Sequence, residues 1–166
     1  MPDVAVNTLS GRIRALVVDK VNYFVELRTD DGRKRYPINL GGDPHTRKLH
    51  FDRLSTPEGR YRVAYLNPRS SFHKAIGVSY PNVSDHARYD TALRKGTIPV
   101  VHGQPRSIGG GIQLHGGGIG NNWTWGCIAM RNDDLDQLFA LTGMRPGLPI
   151  VIVGKSFTRD SMPDVL

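Results

Sequence analysis

Ile112-Gln113-Leu114-His115-Gly116-Gly117-Gly118-Ile119-Gly120-Asn121-Asn122-Trp123-Thr124-Trp125-Gly126-Cys127-Ile128-Ala129-Met130 carries the only cysteine of the chain and one of its six histidines. Its two ends, Ile112 to Leu114 and Cys127 to Met130, read as short apolar strands, and the glycines between them let one strand fold back beside the other. Thiol chemistry needs a sulfur that can become thiolate, a base for its proton and donors for an oxyanion. Here His115 stands at the end of the first strand and Cys127 at the start of the second. Gly126 lets backbone amides approach a substrate carbonyl without a side chain in the way, and Trp123 and Trp125 suggest a pocket wall. The competing reading is a buried small hydrophobe, the commoner fate of a lone cysteine. Spacing alone leaves both open.

Working outward, a length of 166 residues predicts one domain with its own core. Nineteen glycines and eleven prolines argue for many turns, and so for a β-rich fold over a helical bundle. A single cysteine excludes an intrachain disulfide. The formal net charge of +7 fits a basic surface or an anionic polymer as partner. Basic residues do not form runs interleaved with aromatics, so no nucleic acid is expected. No stretch approaches the roughly 20 apolar residues of a membrane span, and Met1-Pro2-Asp3-Val4 does not read as a signal peptide.

Residues 1–10 read as an N-terminal tail, 11–155 as the domain and 156–166 as a C-terminal tail. Ile13 to Val17 and Tyr23 to Leu27 alternate as strands, and Asp30-Asp31-Gly32 is a hairpin turn before a third strand, Arg33 to Leu40. Such strands fit a sandwich or barrel with one wet face. Residues 41–58 read as a polar loop with solvated histidines, His45 and His50. Arg60 to Leu66 and Ala75 to Tyr80 are further strands. Ser84 to Gly96 has helix punctuation, with Ser84 or Asp85 as N-cap, and a second helix starts at Asn132 with Leu135 and Leu138 at core spacing. Ile98 to Val101 leads to His102-Gly103, a rival base, and Leu148 to Val153 is the last buried strand.

Three blocks carry a resemblance. His115-Gly116 followed by Trp123-Thr124-Trp125-Gly126-Cys127-Ile128-Ala129-Met130 resembles the signature of the L,D-transpeptidase catalytic domain, the YkuD type. Asn67-Pro68-Arg69-Ser70-Ser71-Phe72-His73-Lys74-Ala75-Ile76-Gly77-Val78-Ser79-Tyr80-Pro81-Asn82 resembles a run of one branch of that family. Ser55-Thr56-Pro57-Glu58-Gly59-Arg60-Tyr61 resembles its Thr-Pro-Glu-Gly-x-Tyr turn. Several positions depart from the pattern. Trp125 stands where many members carry a second histidine, Ala129 where many carry Arg or Asn, and Asn122 where the branch often has Asp. Phe51-Asp52-Arg53-Leu54 replaces the usual Gly-Asp.

The resemblance implies a mainly β, mixed sandwich or barrel with one or two short helices. It implies acyl transfer in peptidoglycan. Cys127 takes the carbonyl of the third stem residue, releasing D-alanine, and passes the acyl group to an amine for a 3→3 cross-link or protein attachment. His115 is the base, oriented by the Gly116 carbonyl, and Gly126 and Cys127 donate to the oxyanion. Asn67, Phe72, His73, Tyr80, Trp123, Trp125 and Arg131 are the substrate-binding candidates, with Arg106 a further candidate for the donor carboxylate. No cofactor and no metal are implied. The partners are donor and acceptor stem peptides, with a carbapenem adduct on Cys127 expected, and the setting is the periplasm or cell envelope. Three other readings remain: an L,D-carboxypeptidase or endopeptidase on the same scaffold, a non-catalytic wall-binding module, and a metal enzyme using His102, His115 and Cys127.

Overall fold

The computed structural model describes residues 11–162; the expected N-terminal tail, 1–10, lies outside them. Ten strands and two α-helices follow in order. β1 (Ile13–Asp19), β2 (Phe24–Thr29) and β3 (Arg33–Pro37) form the expected meander, turning at Asp30 to Gly32. β4 (Gly59–Ser70) and β5 (His73–Val78) form a long bulged hairpin. Helix α1 (Val83–Arg94) precedes a small separate hairpin, β6 (Val100–Val101) with β7 (Gln104–Pro105). β8 (Gln113–His115), β9 (Ile128–Ala129), α2 (Asn132–Ala140) and β10 (Pro149–Val153) complete the chain.

Eight strands make one sheet in the order β3-β2-β1-β10-β4-β5-β8-β9. Its two edges meet, because the chain beyond β3 bridges to β9 and the segment before it, pairing Asn39 with Ala129 and Gly41 with Thr124. The sheet therefore curls back on itself, and the expected mainly β barrel-like fold with two short helices is what the structure has. Inside the curl Leu16, Val18, Leu27, Ile76, Leu114, Ile128, Leu135 and Ile150 pack into one core. β1 departs from the expectation of one wet face: every residue but Arg14 is buried. It lies between β2 and β10 in mid-sheet, and polar Asp19 is covered by Arg159 from the C-terminal segment.

That segment is a second correction. Residues from 156 onward are not a tail as far as Met162. Ser156 and Phe157 donate their amides to Glu58 Oε2 at 2.9 Å each, and a 3-10 helix, Arg159–Ser161, follows. The α1 cap also moves. Asn82, not Ser84 or Asp85, is the N-cap, its side chain accepting from the Asp85 amide while Asp85 accepts from the Asn82 amide. α2 is capped one residue earlier than expected, at Arg131, so that Asn132 is its first helical residue.

The loop of residues 41–58 is the largest departure from a solvated reading. His50, Lys48, Ser55, Thr56 and Glu58 are buried, and only His45 of the two histidines is exposed. The cause is a buried ion pair. Lys20 Nζ meets Glu58 Oε1 at 3.0 Å and also donates to the carbonyls of Thr46 and Thr56. An ion pair is tolerated inside a protein when its remaining donors and acceptors are satisfied, and here the loop and the C-terminal segment satisfy them. The knot locks Thr56 beneath the site.

Candidate active site

β8 pairs with β5 on one side and β9 on the other, and the β8–β9 pair is parallel, with Leu114 opposite Ile128 and His115 opposite Ala129. Leu114 and Ile128 point into the core. Strand side chains alternate, so His115 and Cys127 share the opposite face. Cys127 lies one pleat period back from the level of His115, about 7 Å along the strand.

The imidazole is held tightly. His115 is 3% exposed, its ring stacked on Phe72 (centroids 4.5 Å apart, planes at 27°) and met edge-on by Trp123 at 5.4 Å. Nδ1 lies 2.7 Å from the Gly116 carbonyl. A carbonyl only accepts, so Nδ1 carries the proton and Nε2 the lone pair. Nε2 has no hydrogen-bond partner among the described residues. Burial holds this histidine below its ordinary value of 6.5, partly offset by the Gly116 carbonyl, which favours the charged ring. Gly116 must be small, since a Cβ there would stand 2.5 Å from the Phe72 carbonyl oxygen.

The thiol is half-buried and donates to the Gly111 carbonyl at 3.5 Å; no hydrogen bond joins it to the imidazole. Burial pushes the Cys127 thiol above its ordinary value, while the Gln113 main-chain amide and the Lys48 ammonium pull it back. The backbone around it is clamped by two threonines. Thr124 Oγ1 donates to the Cys127 carbonyl at 2.7 Å and accepts from the Gly126 amide at 3.2 Å, and Thr56 Oγ1 donates to the Gly126 carbonyl at 2.8 Å. In a trans peptide the carbonyl and the following N–H point opposite ways. Pinning the Gly126 carbonyl inward therefore aims the Cys127 amide outward, and among the described residues that amide has no partner. This corrects the expected oxyanion pair: the Gly126 amide is committed to Thr124, and the Cys127 amide is the open donor. Gly126 adopts φ 125°, and a Cβ on it would stand 2.6 Å from the Ser55 carbonyl, so the tight approach permits only glycine.

The remaining expected residues are placed as follows. Phe72 and Trp123 close over His115, and Trp125, 76% exposed, projects into solvent beside the thiol. Tyr80 is buried with its hydroxyl on the Ile108 carbonyl at 2.8 Å, so it buttresses the segment that ends at Gly111 and has no donor left to offer. Asn67 and His73 are held elsewhere. Asn67 Oδ1 accepts from the Arg69 amide, and His73 Nε2 meets Asp136 of α2 at 2.7 Å, a carboxylate it shares with Lys74. Arg131 is exposed at the N-cap of α2 and lines an open pocket together with Gly117, Gly118, Ile119, Asn132 and Asp133. Arg106 is paired with Asp52.

His102 turns the β6–β7 hairpin, exposed, at φ 51°. It is not brought to the thiol, and no group of three His, Cys, Asp or Glu side chains that could hold a metal ion occurs among the described residues. Sequence reasoning missed Lys48, Thr56, Thr124 and Asn39. Thr56 and Thr124 stood inside the resembling blocks, whereas Asn39, whose Oδ1 accepts from the Gly120 amide at 2.7 Å, had no local signal.

A family model described as the L,D-transpeptidase catalytic domain, YkuD, matches residues 13–152. Among solved structures, the helical cell shape determining protein Pgp2 from Campylobacter jejuni is 22% identical at TM-score 0.58, covering 87% of this chain and 50% of that one. Bd1075 from Bdellovibrio bacteriovorus is 23% identical at TM-score 0.53, covering 89% and 50%. L,D-transpeptidase 3 from Mycobacterium tuberculosis, in complex with a faropenem-derived adduct, is 12% identical at TM-score 0.52, covering 86% and 60%. The chain thus spans about half the length of the first two, and at these identities the likeness is one of fold. No curated protein matches it. Among the described residues no helix is long and apolar enough to cross a membrane. With a family model matched from the first strand nearly to the end of the last, the chain belongs to the YkuD family of L,D-transpeptidase catalytic domains.

Proposed function

We propose that this domain transfers acyl groups in peptidoglycan, with Cys127 as nucleophile and His115 as base. The observation that carries the reading is the parallel β8–β9 pairing. It sets thiol and imidazole on one face of the sheet, beside a Cys127 amide left unpaired. In the reaction the thiol gives up the Gly111 carbonyl and turns to Nε2, which takes its proton; such contacts tighten in the substrate complex. Sγ adds to the carbonyl of the third stem residue, and the Cys127 amide receives the oxyanion. Collapse breaks the amide bond, the imidazolium protonates the leaving D-alanine, and a thioester remains. An amine from an acceptor stem then displaces the sulfur. Trp125 and Arg131, both exposed, meet substrate at the rim, whereas Tyr80 supports the segment behind the thiol and Asn67 and His73, engaged elsewhere, take no part. The basic surface suits an anionic wall, and the site of action is the periplasm or cell envelope.

Muropeptide mass spectrometry with separate donor and acceptor stems tests this. Cross-linked dimer from the native chain and none from Cys127→Ala is the expected result. A trimmed tripeptide alone identifies the carboxypeptidase reading, in which water replaces the amine. Turnover retained by Cys127→Ala overturns the mechanism. A carbapenem is expected to add one equivalent of mass to the peptide containing Cys127, as the penem adduct on the M. tuberculosis neighbour suggests.

A further inference from the structure

Lys48 is the buried cation that the reaction above leaves unused. It is only 4% exposed, although it belongs to a loop that reads as polar and solvated. Its stem runs beneath Gly109, where a Cβ would lie 3.6 Å from Lys48 Cε, and its ammonium donates to the Arg53 carbonyl at 2.8 Å. A Cβ on Gly126 would stand 3.4 Å from Lys48 Nζ. The ammonium is therefore within about 5 Å of the Cα of the residue that precedes the nucleophile.

An ammonium is strongly hydrated and carries three donors, so burying one without a counter-ion is costly. Among the described residues no carboxylate pairs with it. The two anionic groups that favour its charged form are Cys127, first, and Asp52, and Asp52 is already paired with Arg106. His50 and Arg53 belong to the same loop, Arg106 reaches it through Asp52, and the charge of Lys48 bears on His50 as well. His115 is itself buried and held toward its neutral form. Lys48 is the charged side chain that bears on the sulfur.

We propose that Lys48 is a positioning residue for the nucleophile, its buried ammonium serving as counter-ion to the Cys127 thiolate. The inference rests on the reading of Cys127 as nucleophile. As the S–H bond breaks, the proton passes to His115 Nε2, and Lys48 neither gains nor loses one. It offsets the negative charge that forms on sulfur, and the thiolate in turn gives the ammonium the counter-ion that the resting loop lacks.

Cys127 is the only cysteine, so alkylation of the full chain by iodoacetamide across pH reads its ionisation directly. Lys48→Met removes charge and hydrogen bond. Lys48→Gln keeps a donor for the Arg53 carbonyl without the charge, and Lys48→Arg keeps the charge. The midpoint is expected to rise by about one pH unit or more in the Met and Gln variants, a tenfold loss of thiolate below it, and to return at least halfway in Arg. Folded Met and Gln variants with the native midpoint overturn the proposal, since a merely structural lysine lowers the melting temperature and leaves the midpoint in place. Should neither neutral variant fold, the native chain decides. In about 0.5 M salt, where surface charges are screened, an anionic methanethiosulfonate should modify Cys127 faster than a cationic one, and the reverse order refutes the role. A thiol that does not alkylate, with Cys127→Ala still turning over, removes the nucleophile reading itself and is separable from every result above.

Discussion

Thr56→Val tests whether the backbone beside the thiol is held for catalysis or only for stability. Valine has nearly the shape of threonine, and the side chain is fully buried, so the change deletes the hydrogen bond from Oγ1 to the Gly126 carbonyl and little else. A buried acceptor left unpaired costs about 1–3 kcal/mol. For a domain of this size that lowers Tm by roughly 3–10 °C. The kinetic effect is separate. The Gly126 carbonyl and the Cys127 amide belong to one peptide plane, and releasing the carbonyl lets the plane rock and the amide lose its aim. Deleting an oxyanion donor outright costs about 10²–10³ in rate; loosening one should cost roughly tenfold. The assay is the rate of thioester formation by stopped-flow or quenched mass spectrometry, at a temperature where the variant is folded. We expect kcat to fall with KM near native, the signature of an interaction made in the transition state, and Thr56→Ser, which keeps the hydroxyl, to recover most of it. A Thr56→Val variant that melts earlier yet acylates at the native rate refutes the reasoning.

Two further outcomes follow from the buried charges. Phe72 shields one face of His115, so Phe72→Ala should raise the His115 midpoint in an NMR titration toward its ordinary 6.5 and carry the acid limb of acylation upward with it; an unchanged midpoint means the stacking does not set the base. Glu26 is fully buried, and although burial raises its carboxyl, hydrogen bonds from Arg28 and Arg35 outweigh that and hold it below its ordinary 4.5. A depressed folded value gives stability that is present above pH 4.5 and lost as pH falls through the folded value. Glu26→Gln should therefore be less stable than native at pH 7 and lose less on acidification to about pH 3 in urea titrations; parallel losses would show that the arginines do not act through this carboxylate.

What could be read from residues in order was whatever depends on near neighbours. The strands at Ile13 and Tyr23, the Asp30 to Gly32 turn, the helical spacing of Leu135 and Leu138 and the glycine required at position 126 are short-range patterns, and the structure bears them out. The mainly β fold and the nearness of the His115 and Cys127 strands were legible for the same reason. Other features needed the folded chain. Lys48, His50 and Glu58 look like solvated charge in a loop, and only the Lys20 side chain, nearly forty positions from its partner, explains why that loop is buried. The Ser156 to Ser161 segment reads as a tail until Glu58 and Asp19 are found waiting for its amides and its arginine. Likewise Gly126 and Cys127 offer two identical amides in sequence, and it took Thr124 to occupy one and Thr56 to aim the other. Periodicity and turn chemistry act over a few residues, whereas the partner of a buried charge or amide is set by which distant strands the closing sheet brings together.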